Sequence, residues 1–284
     1  MLPSLEEYHR PKTVSAALRL LARGTIHTVP LAGGTSLVPS RNASVRAVVD
    51  LGALDMATAE WQASPIRLGA MTTLQTIVSE PAARTFAHGV LVEAARLCAT
   101  RNIRNVATIG GTIVAGGPTC DLLVAWLALG ARVTVRKARR RVVALEDLLD
   151  APDEFLDMGI ITHMSLPVRT TSCGAALVRV ARTPIDRAIV NAAVSIASDG
   201  PVCRSVRIAI GGVAARPIRA LSVESELEEQ EWDEGRAARV VKHWTASFAP
   251  PSDFRASDQY RREMAEIVVQ RALAQAWARA RGAS

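Results

Sequence analysis

The sequence predicts an α+β protein in two parts: a domain over residues 1–168 built around glycine-rich turns, then a smaller domain over residues 169–284 made of antiparallel sheet and helices. Up to Leu166, helical and strand-like patterns alternate around two glycine-rich segments, at residues 28–39 and 107–123. Beyond a junction at residues 166–172, several β-like runs follow one another, and the chain then takes on helical spacing to its end. No segment repeats internally.

A helix is expected after Pro11, with Val14, Ala17, Leu18 and Leu21 on one face and Gly24 closing it. Residues 28–31 read as a strand running into the first glycine segment, residues 45–50 as a second strand, and residues 66–68 as a third. Val90, Leu91, Ala94, Ala95 and Leu97 give a helical apolar surface ahead of the second glycine segment. Another helix starts after Asp121 and uses Leu122, Leu123, Ala125, Trp126 and Leu129, with Asp121 as its expected cap. Strands follow at 131–135, 142–145 and 160–166. In the second part, residues 177–180, 189–197 and 206–210 read as a small antiparallel sheet with a turn at Asp199-Gly200. The rest is helical: 224–231, 236–244, and 260–279 with Met264, Ile267, Val268, Arg271 and Leu273 as its packing face.

Formal net charge is +7, which makes nucleic acid worth weighing. The arginines, however, are dispersed among acids, and only the run ending at Arg141 is locally dense, so no nucleic-acid partner is expected. That run reads as a solvated hairpin or loop, with a docking surface for an acidic partner as the other reading. Cys98, Cys120, Cys173 and Cys203 form no CxxC pair, and the five histidines show no metal-ligand spacing, so no metal site is expected. The first residues lack the apolar run of a signal peptide and no stretch reaches membrane-spanning length, so a cytoplasmic location is the expectation. Ser195 lacks a GxSxG elbow, and no general acid or base stands out.

The chemistry lies in the glycine segments. Gly33 and Gly34 allow a sharp turn and bring successive N–H groups within reach of an anion, while Thr35 and Ser36 add hydroxyls. Thr108, Gly110, Gly111 and Thr112 repeat the combination, and Gly116-Gly117-Pro118 makes a further turn before Cys120 and Asp121. Taken alone, either segment is also what a structural turn looks like. Two of them suit an extended dinucleotide better than a lone phosphate. Neither the Rossmann nor the Walker pattern is present, which argues against an ordinary nicotinamide site and against ATP hydrolysis.

The segments LAGGTSLVP, IRNVATIGGTIVAGGPTCDLLVAWLALGARV, VNAAVSI, VRIAIGGVAARPIRA and SDQYRREMAEIVVQRAL occur in that order across nearly the whole chain. With them the sequence resembles the FAD-binding medium subunit of the molybdenum hydroxylases, the xanthine dehydrogenase and aerobic carbon monoxide dehydrogenase family. The resemblance implies a vanillyl-alcohol-oxidase-like (PCMH) FAD domain of two subdomains, residues 1–55 and 56–168, followed by the flavoprotein C-terminal domain. It implies FAD as cofactor, its pyrophosphate held by Ala32, Gly33, Gly34, Thr35, Ser36 and Leu37 on one side and by Thr108, Gly110, Gly111 and Thr112 on the other. Cys120, Asp121, Leu166 and Arg179 complete the cofactor residues on the same grounds. The expected partners are a molybdenum-cofactor large subunit and a [2Fe-2S] small subunit, in a heterotrimer or a dimer of heterotrimers. The chain would then receive electrons from the iron–sulfur subunit and pass them to a terminal acceptor, while substrate is oxidised elsewhere. Three positions depart from the family: Thr112 stands where asparagine is common, Gly117 where an acid is common, and Val178 where an aromatic is common. They leave room for two other readings, a self-contained flavin oxidoreductase and a non-redox binding or assembly protein on the same fold.

Overall fold

The computed structural model describes residues 2–168, 172–184 and 186–282. The chain forms two compact units that interleave along the sequence. One holds Met1–Thr76, Arg101–Ala115 and Arg132–Leu166; the other holds Ile77–Thr100, Gly116–Ala131 and Pro167–Ser284. Residues 169–171 of the expected junction lie outside the described residues.

The first unit contains two sheets. Strands β1 (Glu7–His9), β2 (Thr28–Leu31) and β3 (Ala47–Asp50) form a parallel sheet in the order β1-β3-β2. Strand β1 is not legible beforehand, because three residues without an apolar run leave no periodic signal. All three strands run parallel, so their connections must cross over, and helix Val14–Leu21 lies in the one from β1 to β2, which flank β3. Thr13 caps it by accepting the Ala16 N–H at 3.2 Å, and Ala17 and Leu21 bury themselves against Val49 and Leu51. The helix stops short of Gly24, with Ala22 as its C-cap. Between β2 and β3 the chain carries the first glycine segment.

Strands β4 (Ala59–Glu60), β5 (Ile66–Gly69), β6 (Arg132–Arg136), β7 (Arg140–Ala144) and β8 (Ile160–Leu166) make the second sheet, antiparallel in the order β4-β5-β8-β6-β7. The basic run is the β6–β7 hairpin, with Arg136 paired to Arg140 across the turn. At the end of β5, a Cβ on Gly69 would fall 2.1 Å from the Met56 carbonyl oxygen, so glycine is required for the backbones to lie this close. The chain then passes through Ala70 and Thr72, whose carbonyls accept hydrogen bonds from residues 109 and 110.

The second unit is one antiparallel sheet in the order β12 (Ile218–Arg219), β11 (Val202–Gly211), β10 (Val190–Asp199), β9 (Cys173–Val180), with β13 (Gln230–Glu231) on β11. Asp199 pairs with Val202, leaving Gly200-Pro201 as a two-residue turn in which Gly200 takes a φ of 55°. Strand β10 is buried along nine of its ten residues, because helices Asp121–Ala128 and Asp258–Ala280 both pack on it. All eight residues of helix Asp121–Ala128 are buried, and each fully buried Leu or Trp in it contributes about 2 kcal/mol of transfer free energy.

Two expectations in this unit are corrected. The long helix buries Ala265, Val268, Val269, Ala272, Leu273, Ala276 and Ala280, whereas Arg271 is exposed and Ile267 only half-buried. Small residues carry the face because β9 comes so close that a Cβ on Gly174 would sit 1.9 Å from the Ala276 carbonyl oxygen. The helix expected at 224–231 is instead Leu221–Leu227, followed by β13. Glu224 is a buried carboxylate that accepts the Ile208 N–H at 2.8 Å and pairs with Arg219, and Glu229 in left-handed backbone (φ 57°) turns the chain onto β11. Among the described residues, no helix is long and apolar enough to cross a membrane, and no group of three or more His, Cys, Asp or Glu side chains could hold a metal ion.

Candidate cofactor site

The first glycine loop leaves β2 at Leu31 and ends in the short helix Leu37–Ser40. Gly34 adopts φ 70°, a conformation that costs any L side chain. The turn is closed from its far side, where Val38 donates to the Gly34 carbonyl at 3.0 Å and Ser40 to that of Ser36 at 3.2 Å. Among the described residues, nothing accepts from the N–H groups of Gly33, Gly34, Thr35 and Ser36, and the hydroxyls of Thr35 and Ser36 are equally without partners. Gly33, Gly34 and Thr35 are half-buried and Ser36 is exposed, so these donors lie at a turn that an anion can reach from the surface.

The second loop is arranged the other way. Ile109 donates its N–H to the Thr72 carbonyl at 3.0 Å and Gly110 to that of Ala70 at 2.8 Å. The Gly111 N–H goes to Thr108 Oγ1 at 3.1 Å, and the Thr112 N–H to the Thr108 carbonyl at 2.9 Å, which also receives the Thr112 hydroxyl at 2.8 Å. Thr108 thereby starts helix Ile109–Ala115. Gly110 is buried, and a Cβ there would meet Ala70 at 3.0 Å. Its smallness serves close packing on the end of β5.

The fold brings the two loops into contact. A Cβ on Gly33 would lie 1.8 Å from the Val106 carbonyl oxygen, and one on Gly111 would lie 3.9 Å from the Ala32 methyl group. Residues 32–37 and 108–112 thus share one surface of the first unit, the first supplying free donors and the second a rigid wall. Leu166 belongs to the same unit, fully buried at the end of β8 with its backbone paired to Ile66.

Cys120, Asp121 and Arg179 belong to the second unit. Cys120 occupies the N-cap position of helix Asp121–Ala128, so Asp121 is the first residue of the helix and does not cap it. Its carboxylate is nearly fully buried; Oδ1 accepts from Asn191 Nδ2 at 2.6 Å and Oδ2 lies 3.4 Å from Arg179 Nη1. Burial pushes the Asp121 carboxyl above its ordinary range, and the Asn191 hydrogen bond and the Arg179 charge pull against that rise. Arg179 also donates to the Asp186 carbonyl.

Family models match almost the whole chain: the FAD binding domain in molybdopterin dehydrogenase over residues 4–169, and the CO dehydrogenase flavoprotein C-terminal domain over residues 175–276. The chain belongs to the molybdopterin dehydrogenase FAD-binding family. It is 31% identical to the carbon monoxide dehydrogenase medium chain of Afipia carboxidovorans, covering 99% of this chain and all of that one. It is 30% identical to the nicotine 6-hydroxylase medium subunit of Paenarthrobacter nicotinovorans, over 98% of this chain and 99% of the relative. Among solved structures, the carbon monoxide dehydrogenase of Hydrogenophaga pseudoflava lacking the Mo-pyranopterin moiety superposes with a TM-score of 0.88 at 29% identity, covering 98% and 99% of the two chains. The architecture is that of the family: two FAD-binding subdomains followed by a small sheet-and-helix domain.

The family assignment gives the three departures a physical setting. Thr112 spends its hydroxyl inside the second loop, on the Thr108 carbonyl, and Gly117 has open space around its α-carbon. Val178 packs against the core of the C-terminal domain. Sequence reading missed Asn191, which donates to both the Thr119 carbonyl (3.2 Å) and Asp121 from a wholly buried position. The available signal was a lone amide in a strand that, up to its terminal Asp199, is otherwise built of Val, Ala, Ile and Ser. It also missed Ala70 and Thr72, which act through their carbonyls and so leave no mark of residue type.

Proposed function

We propose that the chain is the FAD-binding electron-transfer subunit of a molybdenum hydroxylase complex, receiving electrons from a [2Fe-2S] small subunit and passing them to a terminal acceptor. Substrate oxidation is assigned to a molybdenum-cofactor large subunit, in a heterotrimer or a dimer of heterotrimers. The observation that carries the reading is the row of unpaired N–H groups at Gly33–Ser36, flanked by two unpaired hydroxyls and backed by a second loop whose own donors are already used. A pyrophosphate needs several convergent donors and tolerates little side-chain bulk, and this surface offers both. The names of the relatives, medium chains of multi-subunit dehydrogenases and hydroxylases, support the division of labour.

In this reading Gly33, Gly34, Thr35 and Ser36 bind the cofactor's phosphates. Gly110, Gly111 and Thr112 fix the position of the opposite wall, and the contact of Gly33 with Val106 sets the spacing between the loops. When bound, FAD supplies the ability to take up electrons in pairs or singly, and the chain's contribution is binding, orientation and electrostatics.

The test is to purify the chain from its native source and analyse its cofactor and partners. The expected result is an oxidised-flavin absorbance spectrum, FAD on extraction, and co-purification of a molybdenum-containing large subunit with an iron–sulfur small one. A flavin-loaded chain that turns over substrate alone would refute the division of labour, and a chain that stays flavin-free after saturation with FAD would refute the cofactor assignment. Gly111→Asp should sharply reduce FAD occupancy, since bulk and negative charge are added beside Ala32.

A further inference from the structure

We propose that Cys98 and Cys120 are a dithiol pair that closes to an intramolecular disulfide under a mild disulfide oxidant. Cys98 ends helix Val90–Cys98, and Cys120 is the N-cap of helix Asp121–Ala128; the two sulfurs lie 3.8 Å apart. That is van der Waals contact, and formation of the bond requires an approach of roughly 1.8 Å to reach the S–S length of ~2.05 Å. Both are free thiols on half-buried residues, each at the end of a helix. The two remaining cysteines differ in setting: Cys173 and Cys203 lie in strands β9 and β11, and Cys203 is fully buried.

The pair is also chemically unequal. The contact with Cys98, aided by the N–H groups of Leu122 and Leu123 at the start of the helix, holds the Cys120 thiol below its ordinary range against burial and the Asp121 charge. Cys98, which shares its proton with that sulfur and is itself desolvated, is pushed up. This is the asymmetry of a nucleophilic cysteine next to a resolving one.

The exchange balances with a low-molecular-weight disulfide as oxidant. The Cys120 thiolate attacks one sulfur of the reagent, forming a mixed disulfide and releasing one small thiolate. Cys98 then loses its proton, attacks Cys120 Sγ, and releases the second small thiol. The protein loses two electrons and two protons, and the oxidant takes up both. The bond would close a 22-residue separation that contains Thr108, Gly110, Gly111 and Thr112, so oxidation would tie together the two ends of the segment carrying the second glycine loop.

The purified, FAD-loaded protein should be equilibrated with oxidised and reduced glutathione at a series of ratios, blocked by alkylation and digested with trypsin. The expected product is peptide 97–101 joined to peptide 105–132, two hydrogens lighter than the separate peptides and separated again by dithiothreitol. Free thiols should fall from four to two. In Cys98→Ser the second step is blocked, and Cys120 should accumulate as its glutathione adduct. Persistence of four free thiols at every ratio, or linkage through Cys173 or Cys203, would overturn the proposal. The wild-type digest decides the matter even if the variant does not fold.

Discussion

In the first glycine loop, the N–H groups of Gly33 to Ser36 have no acceptor among the described residues, whereas in the second, those of Ile109 to Thr112 are all bonded within the protein. The two loops share a composition of glycine and threonine yet use it differently. At Gly34 the missing side chain permits left-handed backbone; at Gly110 it permits close packing against Ala70. Gly33 serves the meeting of the loops, because its α-carbon faces the Val106 carbonyl. Two glycine-rich segments that meet in one fold can therefore differ in role, and their hydrogen bonds tell which keeps its donors free and which is scaffolding.

Substitutions can break this contrast or sharpen it. The largest effect is expected from Gly33→Ala, whose methyl group overlaps the Val106 carbonyl and must push the loops apart. We expect a loss of about 3 kcal/mol in FAD binding, or roughly a hundredfold in Kd, read by flavin titration of the apoprotein. Unchanged affinity would show that the loop contact does not shape the site. Gly34→Ala should follow at about 1–2 kcal/mol, the cost of left-handed backbone for an L residue, seen in both melting temperature and Kd. Thr108→Val leaves the Gly111 N–H without its acceptor and should destabilise the apoprotein by about 1–2 kcal/mol, or roughly 2–4 °C in Tm per kcal/mol, with FAD affinity shifted far less. The smallest effect is expected from Thr35→Val, about 1 kcal/mol in FAD binding with no change in the Tm of the apoprotein. If Thr108→Val weakened FAD binding more than Thr35→Val, the assignment of donor and scaffold would be reversed.

Much of the architecture is legible in the residues because it rests on local signals. Thr13 and Asp233 cap their helices through their own side chains, Gly200 sits where the hairpin needs positive φ, and the apolar Val206, Ile208 and Ile210 of the run at 206–210 all enter the C-terminal core. The failures share a cause. The helix read at residues 224–231 holds at Glu224 but ends at Leu227, because Gln230 and Glu231 pair with Cys203 and Val202 of β11 instead. Asp121 has the residue type of a cap, yet Asn191, 70 positions away in sequence, holds its carboxylate. Pattern rules see neighbours along the chain, and these partners are neighbours only in space.

At the candidate site, the residues alone show where glycine and hydroxyl groups concentrate and in what order, and hence the family resemblance and the cofactor to expect. The tertiary structure decided which loop keeps its donors free. That choice depends on whether carbonyls from distant segments, those of Ala70 and Thr72, arrive within hydrogen-bonding distance of Ile109 and Gly110, and on nothing of the kind reaching Gly33 to Ser36 among the described residues. A backbone carbonyl is the same in every residue, so its arrival cannot be read from residue type. Only the packing of the end of β5 against the second loop, permitted by the absence of a side chain at Gly110, brings it there.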